Sequence, residues 1–318
     1  MEKRRLGKSE LMIAPLMLGG NVFGWTADEK TSFAVLDAFV DAGLNAIDTA
    51  DVYSAFAPGN KGGESETVLG KWFSARKNRD KIMLATKVGM LAIDGKAGLS
   101  KDHIARAVEA SLKRLQTDYI DLYFAHRDDE GTPLEETLDA FAGLAKAGKV
   151  RALGASNYSA ARLTEALAIS AKKSLPRYEA LQPLYNLSDR RVFEEELEAI
   201  CRDHHVGVVP YYALAAGFLT GKYRSEADAK KSPRGERVMK NYLNERGKKI
   251  LTALDDVAKR LKATPAQIAI AWLIARPAVA APIASATSVE QFKDLVAAVH
   301  LELDRDALVA LDAASADG

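Results

Sequence analysis

Several things are scarce in this chain, and each scarcity closes off a class of function. Among 318 residues there is one cysteine, Cys201, so no internal disulfide can form. That composition fits a reducing compartment. Lys and Arg number 44 against 43 Asp and Glu, a net charge of +1, so no global field draws the chain to nucleic acid or an anionic membrane. Nothing interleaves aromatics with cations as single-stranded nucleic acid binding requires. The purest apolar run, "IAIAWLIA" at 268–275, is far shorter than the ~20 residues of a spanning helix. The opening "MEKRRLGKSE" is charged and no apolar run follows, so no signal peptide is expected and the protein is expected in the cytoplasm. Cys201, His204 and His205 in "CRDHH" are three neighbouring donors without a fourth, a weak zinc pattern, and no metal is expected.

What is present suits a large core: 48% of residues are hydrophobic and 27% charged. Eight short segments rich in apolar and β-branched residues recur: 14–20, 44–50, 81–88, 119–126, 149–156, 179–186, 206–214 and 279–286. Amphipathic stretches lie between them, such as 101–115, with Ile104, Val108, Leu112 and Leu115 on one helical face. Thr132-Pro133-Leu134-Glu135 and Thr264-Pro265-Ala266-Gln267 both read as an N-cap, a proline in the first turn and a capping-box partner, and Ser288 with Gln291 offers a third box. Gly43, Gly148 and Gly207 stand where helices end. Strands alternating with helices imply parallel pairing. Eight repeats predict an α/β fold of the closed (β/α)8 TIM-barrel kind, one domain over 1–318, with a long irregular loop at about 222–245 after strand seven. The alternative, an open doubly wound sheet, lacks its G-x-G-x-x-G after the first strand.

Residues at the C-terminal ends of barrel strands meet around one mouth. In "NAIDTADVYS" (45–54) an apolar strand runs into Asp48, with Tyr53 just beyond; "ATKV" places Lys87 and "YFAHRDD" places His126. Each alone has an ordinary explanation, as a turn, a packed ring, a solvated lysine or a histidine paired with Asp128 or Asp129. Together they make chemical sense. A phenol is a poor acid, with a reference pKa of ~10. A lysine ammonium beside it favours the phenolate, a carboxylate holds the lysine charged, and a histidine can orient a carbonyl oxygen. Such a set would protonate a carbonyl oxygen as hydride reaches its carbon.

These motifs resemble the aldo-keto reductases over nearly the whole length. "IDTADVY", "ATKVG" and "DLYFAH" look like the family's catalytic tetrad, and "GGESETVLG", "GASNY", "LQPLYN" and "GFLTGKY" like its other segments. The resemblance implies Tyr53 as general acid/base, Lys87 as its tuner, Asp48 as the partner of Lys87, and His126 as the group orienting the substrate. It implies a nicotinamide dinucleotide stacked on Tyr211, with Ser156, Asn157 and Gln182 at its carboxamide. Gly20, Asn21, Leu214, Gly217, Lys222, Ser285, Thr287, Ser288 and Gln291 would hold the rest. A helix beginning near Ser288 would aim its free N–H groups at a phosphate. NADP(H) is the expected cofactor and NAD(H) the alternative, since no cation stands among 285–288 or at 291, and Asp294 and Leu295 replace a Glu-Asn pair of relatives. Arg234 or Arg237 in the 230–240 loop could supply the missing cation, or that loop is simply solvated. Gly19 and Gly20 would admit close backbone approach. Phe23 and Trp25 are expected near a small-molecule carbonyl substrate, and Tyr212 stands where relatives usually carry a small residue. A regulatory protein with slow turnover is the main alternative, and a barrel phosphatase or an aldolase, the latter with a Schiff base on Lys87, a third.

Overall fold

In a strand, side chains alternate between faces, and that parity decides what lies inside this molecule. The computed structural model describes residues 1–232 and 234–316. A short antiparallel hairpin of Arg4–Arg5 (β1) and Met12–Ile13 (β2) comes first. Eight parallel strands follow in chain order: Met17–Gly19 (β3), Ala46–Asp48 (β4), Met83–Val88 (β5), Ile120–Ala125 (β6), Val150–Ser156 (β7), Tyr178–Gln182 (β8), Gly207–Val208 (β9) and Ile283–Ala284 (β10). β10 pairs with β3, and the amides of Ala280 and Ile283 donate to the carbonyls of Val208 and Pro210 at 2.8 and 2.9 Å, which curls the sheet round to its own far edge. Seven of the eight segments picked out above contain one of these strands, and the segment 179–186 holds all of β8 except Tyr178.

Helices cover the outside: Glu29–Asp41 (α1), Glu64–Arg76 (α2), Lys101–Leu115 (α3), Leu134–Lys146 (α4), Ala160–Lys173 (α5), Glu198–His204 (α6), Gly235–Tyr242 (α7), Glu245–Leu261 (α8), Pro265–Ile274 (α9), Val289–Ala297 (α10) and Arg305–Ser315 (α11). Outward strand residues such as Leu84 and Tyr123 pack with buried helix residues in one large apolar layer. Inward residues Ala46, Met83, Ala85, Leu122, Phe124, Ala152 and Ala180 form a second cluster with Leu6, Leu11 and Ile13 of the hairpin. Leu6 also meets Gly207 at the start of β9, so the hairpin plugs the end of the barrel opposite the strand C-termini. No helix among the described residues is long and apolar enough to cross a membrane.

Local expectations were met unevenly. α9 carries the full capping box of Thr264 and Gln267. The same tetrad of residue types at 132–135 does not: Pro133 takes the cap position without a side-chain bond, and the Thr132 hydroxyl donates to Asp129 instead at 2.8 Å. Ser288 caps α10, but the Gln291 side chain accepts from Thr287 rather than from the cap residue. Gly43 and Gly148 follow α1 and α4 at φ 77° and 73°, whereas at the end of α6 His205 takes the left-handed position at φ 55° and Gly207 is a strand residue. The region expected to be irregular at 222–245 holds a short 3-10 segment, Glu226–Lys231, and α7, whose Val238 and Met239 are buried. Pro233 of that region lies outside the described residues.

Candidate active site

Parity gathers the functional groups. Asp48 on β4, Lys87 on β5, the residue after β6 (His126) and Gln182 on β8 all fall on the inward register shared by Ala46, Ala85, Phe124 and Ala180. All four are buried at the C-terminal ends of their strands, Lys87 at 0% exposure and His126 at 9%. The Lys87 ammonium lies 2.7 Å from the Asp48 carboxylate. It also donates to the Thr49 carbonyl at 2.8 Å and to the Tyr53 phenolic oxygen at 2.7 Å. Tyr53 in turn donates to Asp48 Oδ2 at 3.0 Å, and the Gln182 amide donates to Asp48 Oδ1 at 2.9 Å. The His126 ring stands edge-on to the Tyr53 ring, centroids 6.0 Å apart. Its Nδ1 is buried without a partner, so Nε2 is the nitrogen left to face a ligand.

The electrostatics correct one expectation. Lys87 was expected to draw the Tyr53 phenol down; instead burial and the Asp48 carboxylate hold it well above the usual tyrosine value. The phenol therefore keeps its proton at neutral pH. Burial lowers Lys87 below the usual lysine range, opposed by Asp48. His126 is pushed well below the ordinary histidine value, by burial first and then by the cations Lys87 and Arg127, so it is neutral. All three ammonium protons of Lys87 have acceptors, and such a lysine is no free nucleophile for a Schiff base.

The residues expected around a dinucleotide line the same mouth but are largely bonded to one another. Ser156 donates to the Gln182 carbonyl at 2.9 Å, and Asn157 donates to the His126 carbonyl at 2.9 Å and to Ser156 at 3.0 Å. The half-buried Tyr211 donates to Asn157 at 2.8 Å, which fixes the ring's orientation. Gln182, expected only at the cofactor, is thus also the second anchor of Asp48; its own Oε1 has no partner among the described residues. Ser285 bonds Asn21, joining the loops after β10 and β3. Thr287 and Ser288 lead into α10, Ser288 as its N-cap, and both are bonded to Gln291 in the first turn. Leu214 and Gly217 shape the turn after β9, and the exposed Lys222 lies 5.2 Å from the Tyr223 ring centroid. Asp294 is occupied in tying α10 to α9 through Gln267 at 2.6 Å, and Leu295 is in the core. Room at Gly19 and Gly20 is taken by protein atoms: a Cβ on Gly20 would lie 2.8 Å from Ser65 Oγ.

On the substrate side, Phe23 is fully buried in the apolar layer. Trp25 is half-buried, packs edge-on against the exposed Phe56 at 4.7 Å, and carries the Arg234 guanidinium 4.7 Å above its ring. The loop after β9 therefore reaches across to the loop after β3. Arg237 approaches the Tyr212 hydroxyl at 3.4 Å. Cys201 is buried in α6, while His204 and His205 end that helix exposed; among the described residues no group of three or more metal-ligating side chains is gathered.

A closed ring of parallel strands with a phenol, an ammonium, a carboxylate and an imidazole at its mouth defines a barrel oxidoreductase. The chain belongs to the aldo/keto reductase family, whose pattern matches residues 15–316. Members generally bind NAD(P)H and act on small carbonyl compounds. It is 37% identical over 316 residues to the uncharacterized oxidoreductase YrpG of Bacillus subtilis, covering 97% of this chain and 94% of that protein. It is 35% identical to the aldo-keto reductase YhdN of the same organism over 282 residues, 85% of this chain and 78% of the relative. A probable voltage-gated potassium channel subunit beta of Arabidopsis thaliana is 33% identical over 95% of this chain and 92% of its own length.

Proposed function

We propose that this protein reduces an aldehyde or ketone to an alcohol, reversibly, with NADP(H) ahead of NAD(H), and that Tyr53 delivers the proton. The observation that carries the reading is the Tyr53 oxygen, held 2.7 Å from a buried ammonium at the barrel mouth beside a neutral histidine. The bound dinucleotide supplies the hydride. The chain's own residues do the rest. His126 donates through Nε2 to the carbonyl oxygen and fixes its direction. Tyr53 turns its proton from Asp48 to that oxygen as negative charge grows there. An alkoxide is far more basic than a phenolate, so the transfer runs downhill even from a raised phenol. Lys87, one proton already on the phenolic oxygen, stabilises the phenolate left behind. Asp48, braced by Gln182, keeps Lys87 in place.

The residues present suit a dinucleotide. The free Oε1 of Gln182 can accept from a carboxamide, the tethered Tyr211 ring offers a fixed face, and the first turn of α10 presents N–H groups to a phosphate. Arg234 supports NADP(H): its side chain has no carboxylate partner among the described residues and waits on Trp25 at the mouth. Titrating the protein with NADPH and NADH, then following loss of reduced nicotinamide absorbance with a panel of aldehydes, tests the reading. We expect tighter NADPH binding, turnover of aldehydes, and an Arg234→Ala variant whose preference for NADPH over NADH falls about 10-fold or more, the size of a lost charge-assisted bond. No turnover across the panel, with cofactor tightly retained, would instead favour a regulatory role, the reading to which the relative named as a channel subunit lends weight.

A further inference from the structure

The fold leaves few large apolar side chains open to water, and several of the exceptions stand at the mouth. Of the seven exposed among the described residues, Phe56, Met90 and Tyr212 lie on the loops after β4, β5 and β9. Phe56 is 57% exposed and comes three residues after Tyr53. Apolar residues scattered singly over a surface need no explanation, but a group gathered at one mouth does. The sequence around two of them is also unusual. Charged residues make up 27% of the chain, yet 52–60, "VYSAFAPGN", and 88–93, "VGMLAI", carry none. The first of these runs contains Tyr53 and the second begins just after Lys87.

Phe56 is held out rather than left loose. The Ser54 hydroxyl donates to the Phe23 carbonyl at 2.8 Å and the Asn60 amide to the Gly24 carbonyl at 2.9 Å, which ties the loop to the one after β3 on both sides of Phe56. Between these ties the backbone amides of Ala55, Ala57 and Asn60 donate to the carbonyls of Val52, Ser54 and Ala57 in successive turns. Ser54 is buried at φ 72°, a left-handed conformation that a residue other than glycine keeps only when its surroundings impose it. Phe56 meets Trp25 edge-on, and Arg234 lies over the Trp25 ring, so Trp25 is taken up by protein contacts while more than half of Phe56 stays open. The loop after β5 closes against the same loop: Gly62, at φ 97°, leaves room for Leu91, whose Cδ1 would lie 2.7 Å from a Cβ there. Phe23, expected near the substrate, is in the core, and Phe56 is the phenylalanine left open on this side of the mouth.

We infer that Phe56 is a specificity-determining residue, and that the preferred aldehydes or ketones carry an uncharged aromatic arm that packs on its open ring. The inference rests on the reductase reading. Three residues of chain reach at most ~11 Å, so a carbonyl at Tyr53 with one or two fused rings attached spans the distance to Phe56. A flat arm gains apolar burial and a ring-to-ring contact there. A charged arm would give up hydration and find no opposite charge in either run.

The test compares 2-naphthaldehyde with butanal under saturating NADPH, in the wild type, Phe56→Ala and Phe56→Leu, with NADPH affinity measured in parallel as a check that the barrel is intact. The wild type is expected to favour 2-naphthaldehyde. Phe56→Ala should lower the naphthaldehyde-to-butanal ratio of kcat/KM by about 10-fold, mostly through the KM of naphthaldehyde. Phe56→Leu, which keeps apolar area without a ring, should lose less. A merely structural role would lower both aldehydes together and leave the ratio where it was. An unchanged ratio in Phe56→Ala, or a wild type that favours butanal, overturns the assignment. Should neither aldehyde turn over, the reductase reading fails, and calorimetric titration with 2-naphthylmethanol decides the subsite by itself. Binding to the wild type that weakens about 10-fold in Phe56→Ala supports it, and equal or absent binding in both refutes it.

Discussion

Lys87 has no access to solvent, and an ammonium in that position is tolerable only because three oxygens surround it. One of them is the phenolic oxygen of Tyr53, so the cost of burial is coupled to the chemistry. The raised pKa of Tyr53 carries a sign for catalysis. Reduction needs the protonated phenol, and a group lifted above its free value stays protonated through and beyond pH ~10. The kcat/KM for aldehyde reduction is therefore expected to show no loss attributable to Tyr53 between neutrality and pH ~10 and to fall only above it, while alcohol oxidation, which needs the phenolate, is still rising there. Steady-state pH profiles in both directions check this; a reduction rate that falls through pH 7–8 with the signature of a titrating acid would mean the ammonium wins after all. The four principal residues were legible in the sequence because their chemical types are unusual at the ends of apolar strands. The part played by Gln182 at Asp48 was not. It links positions 134 apart and follows from strand parity across the barrel, which no local pattern encodes.

Between residue and barrel, two copies of one local signal met different fates. Thr264 and Thr132 both precede a proline and a helix, yet only Thr264 caps, because the nearby Asp129 carboxylate takes the Thr132 hydroxyl. Thr264→Ala should lose about 1 kcal/mol of stability, seen as a lower denaturation midpoint at unchanged slope. No loss would mean Asp294, which also touches Thr264 and Gln267, replaces the cap. Short elements were the ones that escaped the sequence. β1 and β2 have two residues each, too few to show alternation, and exist because Leu6, Leu11 and Ile13 find the barrel interior. α7, within the connection that follows β9, similarly takes its stability from the burial of Val238 and Met239.

At the scale of the whole molecule the sequence was most readable, since eight apolar segments separated by amphipathic helices leave few ways to bury both faces of every strand. Closure then does what no segment can do alone. It brings Asp48, Lys87, His126 and Gln182 to one rim, where Asp48, Lys87, Gln182 and Tyr53 form one hydrogen-bonded unit beside the His126 ring. The pH behaviour of Tyr53 presupposes that this unit transfers a proton from one phenol. The most direct measurement is single-turnover oxidation of bound NADPH by an aldehyde in the wild type and in Tyr53→Phe, with NADPH affinity measured in parallel. Removal of the proton donor should slow the chemical step by about 10²- to 10⁴-fold while leaving cofactor binding unchanged. A Tyr53→Phe protein that reduces the aldehyde at the wild-type rate would contradict the account.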